Sequence, residues 1–452
     1  MTRRGRHTLA AVAGIAVAGL LALAVDPQIS VLPPVSAPPP GAEALAPVPV
    51  EVPENLFTRL PVTRAALDMR VTEPGAAPGV AGSADARGRL VERVLIPGNG
   101  LLPSEVVYVE YSLDAELTRH VFRVLERGRV KLGHVILLDP RNGRVLAYAS
   151  TDTKQFPPTR SYPAASLVKV ITAAAALDHA PESARLPCRF QGSPYRLTPS
   201  RLDPPRRGAT VSLRRALATS NNQCFAQLAV HAVGGGPLVA ALERFGWRAA
   251  PAPEHAVGSV DPGESRYDLG RLGCGLAGCH ITPMHAAQLA ASLARGELVA
   301  PHWIERVIDS RGRELPLPAR PTPRQVMSPK LAAELRGMLI DTTRIGTARS
   351  AFRKRSGKPL LGPVQVAGKT GSLSGRDPTG RYEWFIGAAP AEEPRIAVAV
   401  LLVQGHLWWR NASQIAAEVL RGPFCRDGSC SAEAALRFLE GTADTPGPGQ
   451  AL

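Results

Sequence analysis

The pattern of hydrophobic positions predicts strands at the beginning and end of the main folded region, with helices between them. Apolar runs on both sides of Asn142-Gly143 are typical of a β-hairpin. The run at 395–403 is almost continuously apolar, so we expect a central strand covered on both faces. The predicted strands are 106–113, 134–138, 144–149, 364–372, 382–388 and 395–403.

Helical spacing and capping residues mark the other elements. Asp114 can cap a helix with its apolar residues on one face, and Thr282-Pro283 and Ser328-Pro329 each combine a capping hydroxyl with a first-turn proline. Strands, then helices, then strands predict an α+β fold, with an antiparallel sheet flanked by helices plus a mostly helical subdomain. The remaining predicted helical segments are 166–177, 212–233 with a break at 220–222, and 413–420.

The N-terminus carries a targeting signal. A basic stub at 1–8 precedes an uncharged apolar run at 9–25, which we interpret as a signal anchor and transmembrane helix. The basic flank places the stub in the cytoplasm and the remainder of the chain outside. A cleavable signal peptide, with Ala22-Leu23-Ala24 at the cleavage site, is the alternative. Both interpretations predict export.

Composition then divides the exported part of the chain. The segment 26–53 is proline-rich and predicts an extended, semi-rigid linker. The segment 54–105 is weakly patterned, and we expect a small N-terminal pedestal. The main domain is predicted at 106–440, followed by a flexible tail at 441–452.

The chain of 452 residues has a formal net charge of +15. This positive charge could attract nucleic acid, an anionic membrane or an anionic wall polymer. No basic cluster is interleaved with aromatic residues, and the basic residues are spread along the chain. We therefore expect a well-solvated surface and no nucleic-acid partner.

Six cysteines in an exported chain predict disulfides. Six cysteines allow about fifteen pairings, so the pairing stays open. Zinc is an alternative for Cys274, Cys279 and His280, but the C-x-x-C spacing is missing and we expect no metal. The expected pairs are Cys425 with Cys430, Cys274 with Cys279, and Cys188 with Cys224.

Ser166 and Lys169 are the first candidates for chemistry. A spacing of three residues places them on one helix face, and a desolvated lysine can take the proton of a serine hydroxyl. Only seven of the 53 basic residues are lysines, so a lysine here suggests a need for a deprotonatable amine, which arginine cannot provide. The alternative is a helix cap at Ser166 beside a surface lysine.

Two further motifs extend this set. Ser220 and Asn222 lie at the predicted helix break, where polar groups can point into a cleft; ordinary helix capping is the alternative. Lys369-Thr370-Gly371-Ser372 lies on a predicted strand. Its lysine and hydroxyls can hold a carboxylate, and Gly371 allows close approach of a substrate backbone.

In this order, the three motifs resemble the signature of the penicillin-recognising serine acyltransferases, and their surroundings resemble the transpeptidase domain of penicillin-binding proteins. The resemblance covers 106–420 and implies that fold, with no cofactor. It implies a D,D-transpeptidase that crosslinks peptidoglycan and binds penicillin covalently. The family usually has glycine before the nucleophile, whereas this chain has Ala165.

The same resemblance implies roles for the individual residues. Ser166 would be the nucleophile, Lys169 its base and Ser220 a proton relay, whereas Asn222 would bind a substrate amide. The substrate's terminal carboxylate would be held by Lys369 and Thr370, next to Gly371. Backbone N–H groups of Ser166 and Ser372 would form the oxyanion hole.

The resemblance also implies partners and alternatives. The substrates would be D-alanyl-D-alanine stem peptides, and the inhibitors β-lactams. The signal anchor, with its basic flank, predicts a location at the extracytoplasmic face of the inner membrane. A glycosyltransferase or proteins of the division or elongation complex would be partners. A D,D-carboxypeptidase or β-lactamase on the same fold, and a catalytically silent wall scaffold, are the alternatives.

Overall fold

The computed structural model describes residues 56, 60, 62–65, 71–72, 89–96, 104–405 and 409–439. The expected membrane segment at 9–25, the linker at 26–53 and the tail at 441–452 lie outside these residues. Among the described residues, no single helix has both the length and the apolar character to span a membrane, although the bent pair Asn222–Val233 and Gly235–Arg244 meets those criteria jointly.

Nineteen strands are formed by the described residues. In chain order they are β1 (Val71–Thr72), β2 (Arg89–Ile96), β3 (Glu105–Asp114), β4 (Leu132–Leu138), β5 (Val145–Ser150), β6 (Tyr162–Pro163), β7 (Cys188–Phe190), β8 (Ala209–Val211), β9 (Ser259–Val260), β10 (Cys279–Ile281), β11 (Glu297–Leu298), β12 (Ile304–Asp309), β13 (Glu314–Leu315), β14 (Arg324–Gln325), β15 (Ala367–Arg376), β16 (Thr379–Ala389), β17 (Ile396–Gln404), β18 (Cys425–Arg426) and β19 (Ser429–Cys430).

The α-helices of the described region are α1 (Ala115–Arg127), α2 (Val168–His179), α3 (Pro181–Arg185), α4 (Leu213–Ala218), α5 (Asn222–Gln227), α6 (Gly235–Arg244), α7 (Arg266–Cys274), α8 (Pro283–Ser292), α9 (Pro329–Arg344), α10 (Ala412–Phe424) and α11 (Leu436–Leu439). Short 3₁₀ turns occur at Ala165–Leu167, Pro199–Arg201 and Glu433–Ala435, and a π-helical turn at Leu228–Val233.

A five-stranded antiparallel sheet in the order β15-β16-β17-β4-β5 forms the centre of the fold. The residues of β17 from Ile396 to Val403 are all buried, which confirms the predicted central strand covered on both faces. The fully buried helix α8 packs on β17 and β4, whereas α10 packs on β17 and against α1. The predicted α+β architecture is therefore confirmed.

The expected capping residues begin their helices. The Asp114 carboxylate accepts a hydrogen bond from the Leu117 N–H at 2.8 Å, which satisfies one of the free donors at the start of α1. Thr282 and Ser328 cap α8 and α9 in the same way, with proline in the first turn of each helix. These ends agree with the sequence because the caps are local interactions.

A second sheet, in the order β1-β2-β3-β12-β13, crosses the boundary expected near residue 106. Strand β3 pairs with β2 on one side and with β12 on the other. Buried Leu90 on β2 and Val107 on β3 belong to the main hydrophobic core. The described part of 54–105 is thus continuous with the described residues of the main domain, and together they belong to one compact unit.

The helical subdomain surrounds α2. This helix is buried along almost its whole length, from Val168 to Leu177, and contacts α3, α6 and α7. The helix break expected at 220–222 is present between α4 and α5. Asn221 begins α5 and accepts a hydrogen bond from the Cys224 N–H at 3.1 Å, while Ser220 takes a positive φ of 57°.

Two of the three expected disulfides are formed, Cys188–Cys224 and Cys425–Cys430. The expected pairing of Cys274 with Cys279 is wrong, since both are free and buried. Cys274 ends α7 with its Sγ directed at the Arg271 carbonyl, whereas Cys279 begins β10 beside Trp247. The two thiols therefore have different neighbours in the core.

Candidate active site

Ser166 and Lys169 meet where a 3₁₀ turn leads into α2. Ser166 lies in the turn Ala165–Leu167, and Lys169 follows in the first turn of the α-helix. Lys169 Nζ and Ser166 Oγ lie 2.7 Å apart. The three-residue spacing therefore brings the amine within hydrogen-bond distance of the hydroxyl, as the sequence predicted.

The surroundings of Lys169 define the state of its amine. Nζ also donates to Asn222 Oδ1 at 2.8 Å and to the Cys274 carbonyl at 2.6 Å, and the side chain is completely buried. Desolvation lowers the pKa of Lys169 from 10.5 to about 8. A neutral amine has two N–H donors and one lone pair. In that form, because the Asn222 and Cys274 oxygens can only accept, the two donors point at them and the lone pair faces Ser166 Oγ. Below its pKa the amine is an ammonium, and its third N–H donates to Ser166 Oγ.

Ser220 and Lys369 form a second amine–hydroxyl pair. Lys369 Nζ donates to Ser220 Oγ at 3.0 Å and to the Thr370 carbonyl at 2.8 Å. Lys369 is also completely buried, and desolvation, with a smaller contribution from the charge of Lys169, lowers its pKa well below 10.5. Lys369 on β15 thus contacts Ser220 at the break between α4 and α5.

A cleft of about 420 Å³ opens over these residues. Strand β15 is at the edge of its sheet, so one side of its backbone is left unpaired by other strands for a ligand. The sequence-predicted site residues Ser166, Ser220, Asn222, Thr370, Gly371 and Ser372 all line this cleft, whereas Lys169 and Lys369 lie beneath its surface.

Gly371, in the cleft lining, packs against the buried residue Ala165. A Cβ at Gly371 would lie 3.2 Å from Trp384 Cβ and 3.3 Å from Ala165 Cβ, which is tight. Ala165 has a positive φ of 49°, the conformation in which glycine is preferred. The residue that departs from the family pattern thus retains the backbone conformation that glycine would favour.

Several further lining residues were not found from the sequence, among them Tyr195, Thr347, Arg381 and Glu383. The hydroxyls of Thr347 and Thr370 lie 2.6 Å apart, and the Tyr195 carbonyl accepts a hydrogen bond from Asn222 Nδ2 at 2.7 Å. Arg381 and Glu383 reach the cleft from β16. These residues belong to no recognised motif. Glu383 could have been found only by pairing the two predicted strands so that it lies opposite Ser372. Among the described residues, no three His, Cys, Asp or Glu side chains are grouped as a metal site.

The chain is similar in sequence to known peptidoglycan D,D-transpeptidases. The peptidoglycan D,D-transpeptidase PbpA of Mycolicibacterium smegmatis is 29% identical over 320 residues, which are 60% of this chain and 62% of that protein. The PbpA of Mycobacterium tuberculosis is 28% identical over 314 residues, with the same two coverages. The chain thus spans less than two thirds of the length of these relatives.

Solved structures share the fold. The crystal structure of PBPA from Mycobacterium tuberculosis has a TM-score of 0.59 and 24% identity, covering 70% of this chain and 81% of that one. The imipenem acyl-enzyme complex of the same protein has a TM-score of 0.57 and 25% identity, covering 70% and 79%.

The family profile described as the penicillin binding protein transpeptidase domain matches residues 133–422, which are more than half of the chain. This match includes all three motifs, the central sheet from β4 to β17 and most of α10. The chain therefore belongs to the penicillin-binding protein transpeptidase family.

Proposed function

We propose that this protein is a serine D,D-transpeptidase that crosslinks peptidoglycan stem peptides through an acyl-enzyme on Ser166 and that binds penicillin covalently. The observation that carries the proposal is the buried amine of Lys169, 2.7 Å from Ser166 Oγ and held by two oxygens that can only accept. Burial lowers the pKa of Lys169 to about 8, which makes its neutral form accessible as the base for a serine nucleophile.

In the first half-reaction, Lys169 takes the proton of Ser166 as Oγ attacks the carbonyl carbon of the penultimate D-alanine. The peptide C–N bond then breaks, the proton that Lys169 took from Ser166 reaches the departing amine through the Ser220 hydroxyl, and terminal D-alanine leaves with Lys169 neutral again. Lys369, 3.0 Å from Ser220 Oγ, supports this relay. The edge position of β15 supports an oxyanion hole formed by the Ser166 and Ser372 N–H groups.

In the second half-reaction, the amine of a neighbouring stem peptide attacks the ester carbonyl. Lys169 takes a proton from that amine and returns it to Ser166 Oγ as the C–O bond breaks, and an amide crosslink forms. Asn222 would orient the donor through its amide, and Thr370 and Lys369 would hold the terminal carboxylate beside Gly371. The PbpA name of the relatives, and the acyl-enzyme complexes of a structural neighbour with imipenem and penicillin G, support this assignment.

The proposed location is the extracytoplasmic face of the inner membrane, with the segment 9–25 as a single-pass anchor. The basic flank of that apolar segment supports this topology. Peptidoglycan then supplies both substrates, and a glycosyltransferase that polymerises the glycan, or other division or elongation proteins, would be the protein partners.

A hydrolase on the same fold would need to activate water against the acyl-enzyme. The cleft lining contains one carboxylate, Glu383, and its Oε1 lies 3.4 Å from Arg381 Nε. The charge of Arg381 opposes service as a base because it stabilises the carboxylate, whereas burial, the larger effect, raises the pKa of Glu383. The lifetime of the penicillin acyl-enzyme is therefore the property that separates a transpeptidase from a carboxypeptidase or β-lactamase.

The test is labelling of purified protein with a fluorescent penicillin. We expect stable labelling of the wild type, none of Ser166→Ala, and wild-type labelling of Ser374→Ala, which removes an exposed serine outside the cleft lining. Labelled Ser166→Ala would refute the nucleophile. Rapid loss of label would favour a hydrolase, and an unlabelled wild type would favour a silent scaffold. Crosslinking of a nascent glycan carrying pentapeptides would then establish transpeptidation.

A further inference from the structure

Strands β15 and β16 place a polar surface on one face of the sheet beside the proposed carboxylate site. Ser372 is directly opposite Glu383, and Ser374 is opposite Arg381. Directly opposed residues of an antiparallel pair point to the same face, and alternate residues along a strand share that face. Thr370, Ser372, Arg381 and Glu383 therefore belong to one face, and all four line the cleft.

Arg381 connects these groups. Its Nε donates to Ser372 Oγ at 2.6 Å and lies 3.4 Å from Glu383 Oε1. Its side chain is 61% exposed, so a ligand in the cleft can reach it. The terminal guanidinium nitrogens form no hydrogen bond with the described residues, which leaves them available for a bidentate contact with a carboxylate.

Glu383 is the acidic neighbour of the arginine. Only 8% of Glu383 is exposed, and its Oε2 has no hydrogen-bond partner among the described residues. Burial raises its pKa, whereas the charge of Arg381 and a backbone hydrogen bond from Ala412, at the start of α10, oppose that shift. A buried carboxylate on one side of Nε restricts the orientation of the guanidinium.

Lys369 alone provides little positive charge for a carboxylate in the cleft, so a second cation would strengthen carboxylate binding. Lys369 is completely buried, and its pKa is lowered well below 10.5 by desolvation and by Lys169. A carboxylate in the cleft therefore meets the hydroxyls of Thr370 and Ser372 before it meets Lys369. Arginine stays protonated under all ordinary conditions, so Arg381 supplies a permanent positive charge at this position.

We propose that Arg381 is a further specificity-determining residue, which binds the terminal carboxylate of the donor peptide, or the carboxylate of a β-lactam, together with Ser372 and Thr370. Glu383 is its positioning residue. This inference rests on the proposed function, because it assigns a recognition role within the same cleft.

The experiment compares penicillin G with its methyl ester, which retains the β-lactam ring but lacks the negative charge. Second-order acylation rates are measured for the wild type, Arg381→Ala, Arg381→Lys and Glu383→Gln. Arg376→Ala is the matched control, since it removes an exposed arginine of the same hairpin that does not line the cleft.

We expect Arg381→Ala to lower the rate with penicillin G about tenfold or more and to leave the rate with the ester within about twofold, because a charge-assisted hydrogen bond is lost only with the acid. Arg381→Lys should recover part of the loss, since lysine restores the positive charge but cannot donate two parallel hydrogen bonds to one carboxylate. Glu383→Gln should lower the acid-to-ester ratio by a smaller factor, and Arg376→Ala should not change it.

An unchanged acid-to-ester ratio in Arg381→Ala would overturn the inference, whether both rates were unaltered or both fell equally. A wild type that takes no label from penicillin would instead refute the proposed function itself. The two failures are therefore distinguishable in a single set of measurements.

Discussion

Lys169 Nζ lies 2.8 Å from Asn222 Oδ1, although the two residues are 53 positions apart in the chain. The contact joins the start of α2 to the start of α5, across the helix break that carries Ser220. Because the amide oxygen can only accept, it takes one N–H of the lysine and helps to direct the lone pair at Ser166. The reactivity proposed for Ser166 thus depends on how two helices are packed.

The rate of acylation by penicillin should rise with pH to a plateau, with a midpoint near the Lys169 pKa of about 8. Only the neutral amine can take the Ser166 proton. Below the midpoint the neutral fraction, and therefore the rate, falls about tenfold for each pH unit. Rapid-mixing measurements between about pH 6 and 9.5 would check this. A flat profile over that range would contradict the role of Lys169 as the base.

Replacing Asn222 with aspartate should shift that profile to higher pH. A carboxylate beside Nζ favours the ammonium and raises the pKa of Lys169 by about one to three units, so acylation at neutral pH should fall about tenfold or more. Rate recovery at high pH separates this effect from misfolding. Equal loss of activity at every pH would indicate instead that Asn222 acts only on the substrate.

A side chain at Gly275 should disturb Ala165, the residue just before Ser166. This glycine has a φ of +74°, and a Cβ there would overlap the carbonyl oxygen of Ala165. Gly275→Ala should cost about 3 kcal/mol or more in the free energy of unfolding and displace the Ser166 N–H, with at least tenfold slower acylation.

Gly357→Ala is the matched control for that substitution. Gly357 has a φ of +80°, but a Cβ there would meet nothing within 4 Å. It should therefore cost only the backbone strain, about 1–2 kcal/mol, with acylation unchanged. Urea unfolding and penicillin labelling measure both effects. Similar losses in the two variants would argue against the steric contact with Ala165.

The two disulfides should contribute unequally to stability. Cys188–Cys224 has a sequence separation of 36, against five for Cys425–Cys430. Loop-closure entropy then predicts a loss of about 4 kcal/mol for the Cys188→Ser, Cys224→Ser double variant and about 2 kcal/mol for the Cys425→Ser, Cys430→Ser variant. Urea unfolding measures the difference, and a larger loss from the short loop would contradict this ranking.

The sequence by itself determined the elements whose signals are local. The caps at Asp114, Thr282 and Ser328 and the apolar run of β17 depend on residues close together in the chain, so their pattern was sufficient to predict them. The same is true of the helical spacing that joins Ser166 to Lys169. The three motifs, taken in order, were enough to indicate the family.

The tertiary structure decided what depends on segments far apart in the chain. The expected Cys274–Cys279 pairing is wrong because both thiols are free, with different neighbours, Arg271 and Trp247. The pairing of β2 with β3 across residue 106 is likewise a contact that the local pattern does not reveal. The pKa of Lys169 follows from burial, which no spacing reveals. Arg381 belongs to no motif; strand register brings it beside Ser372. Burial and cross-strand contact are properties of the packed chain, and the electrostatics of the site arise from them.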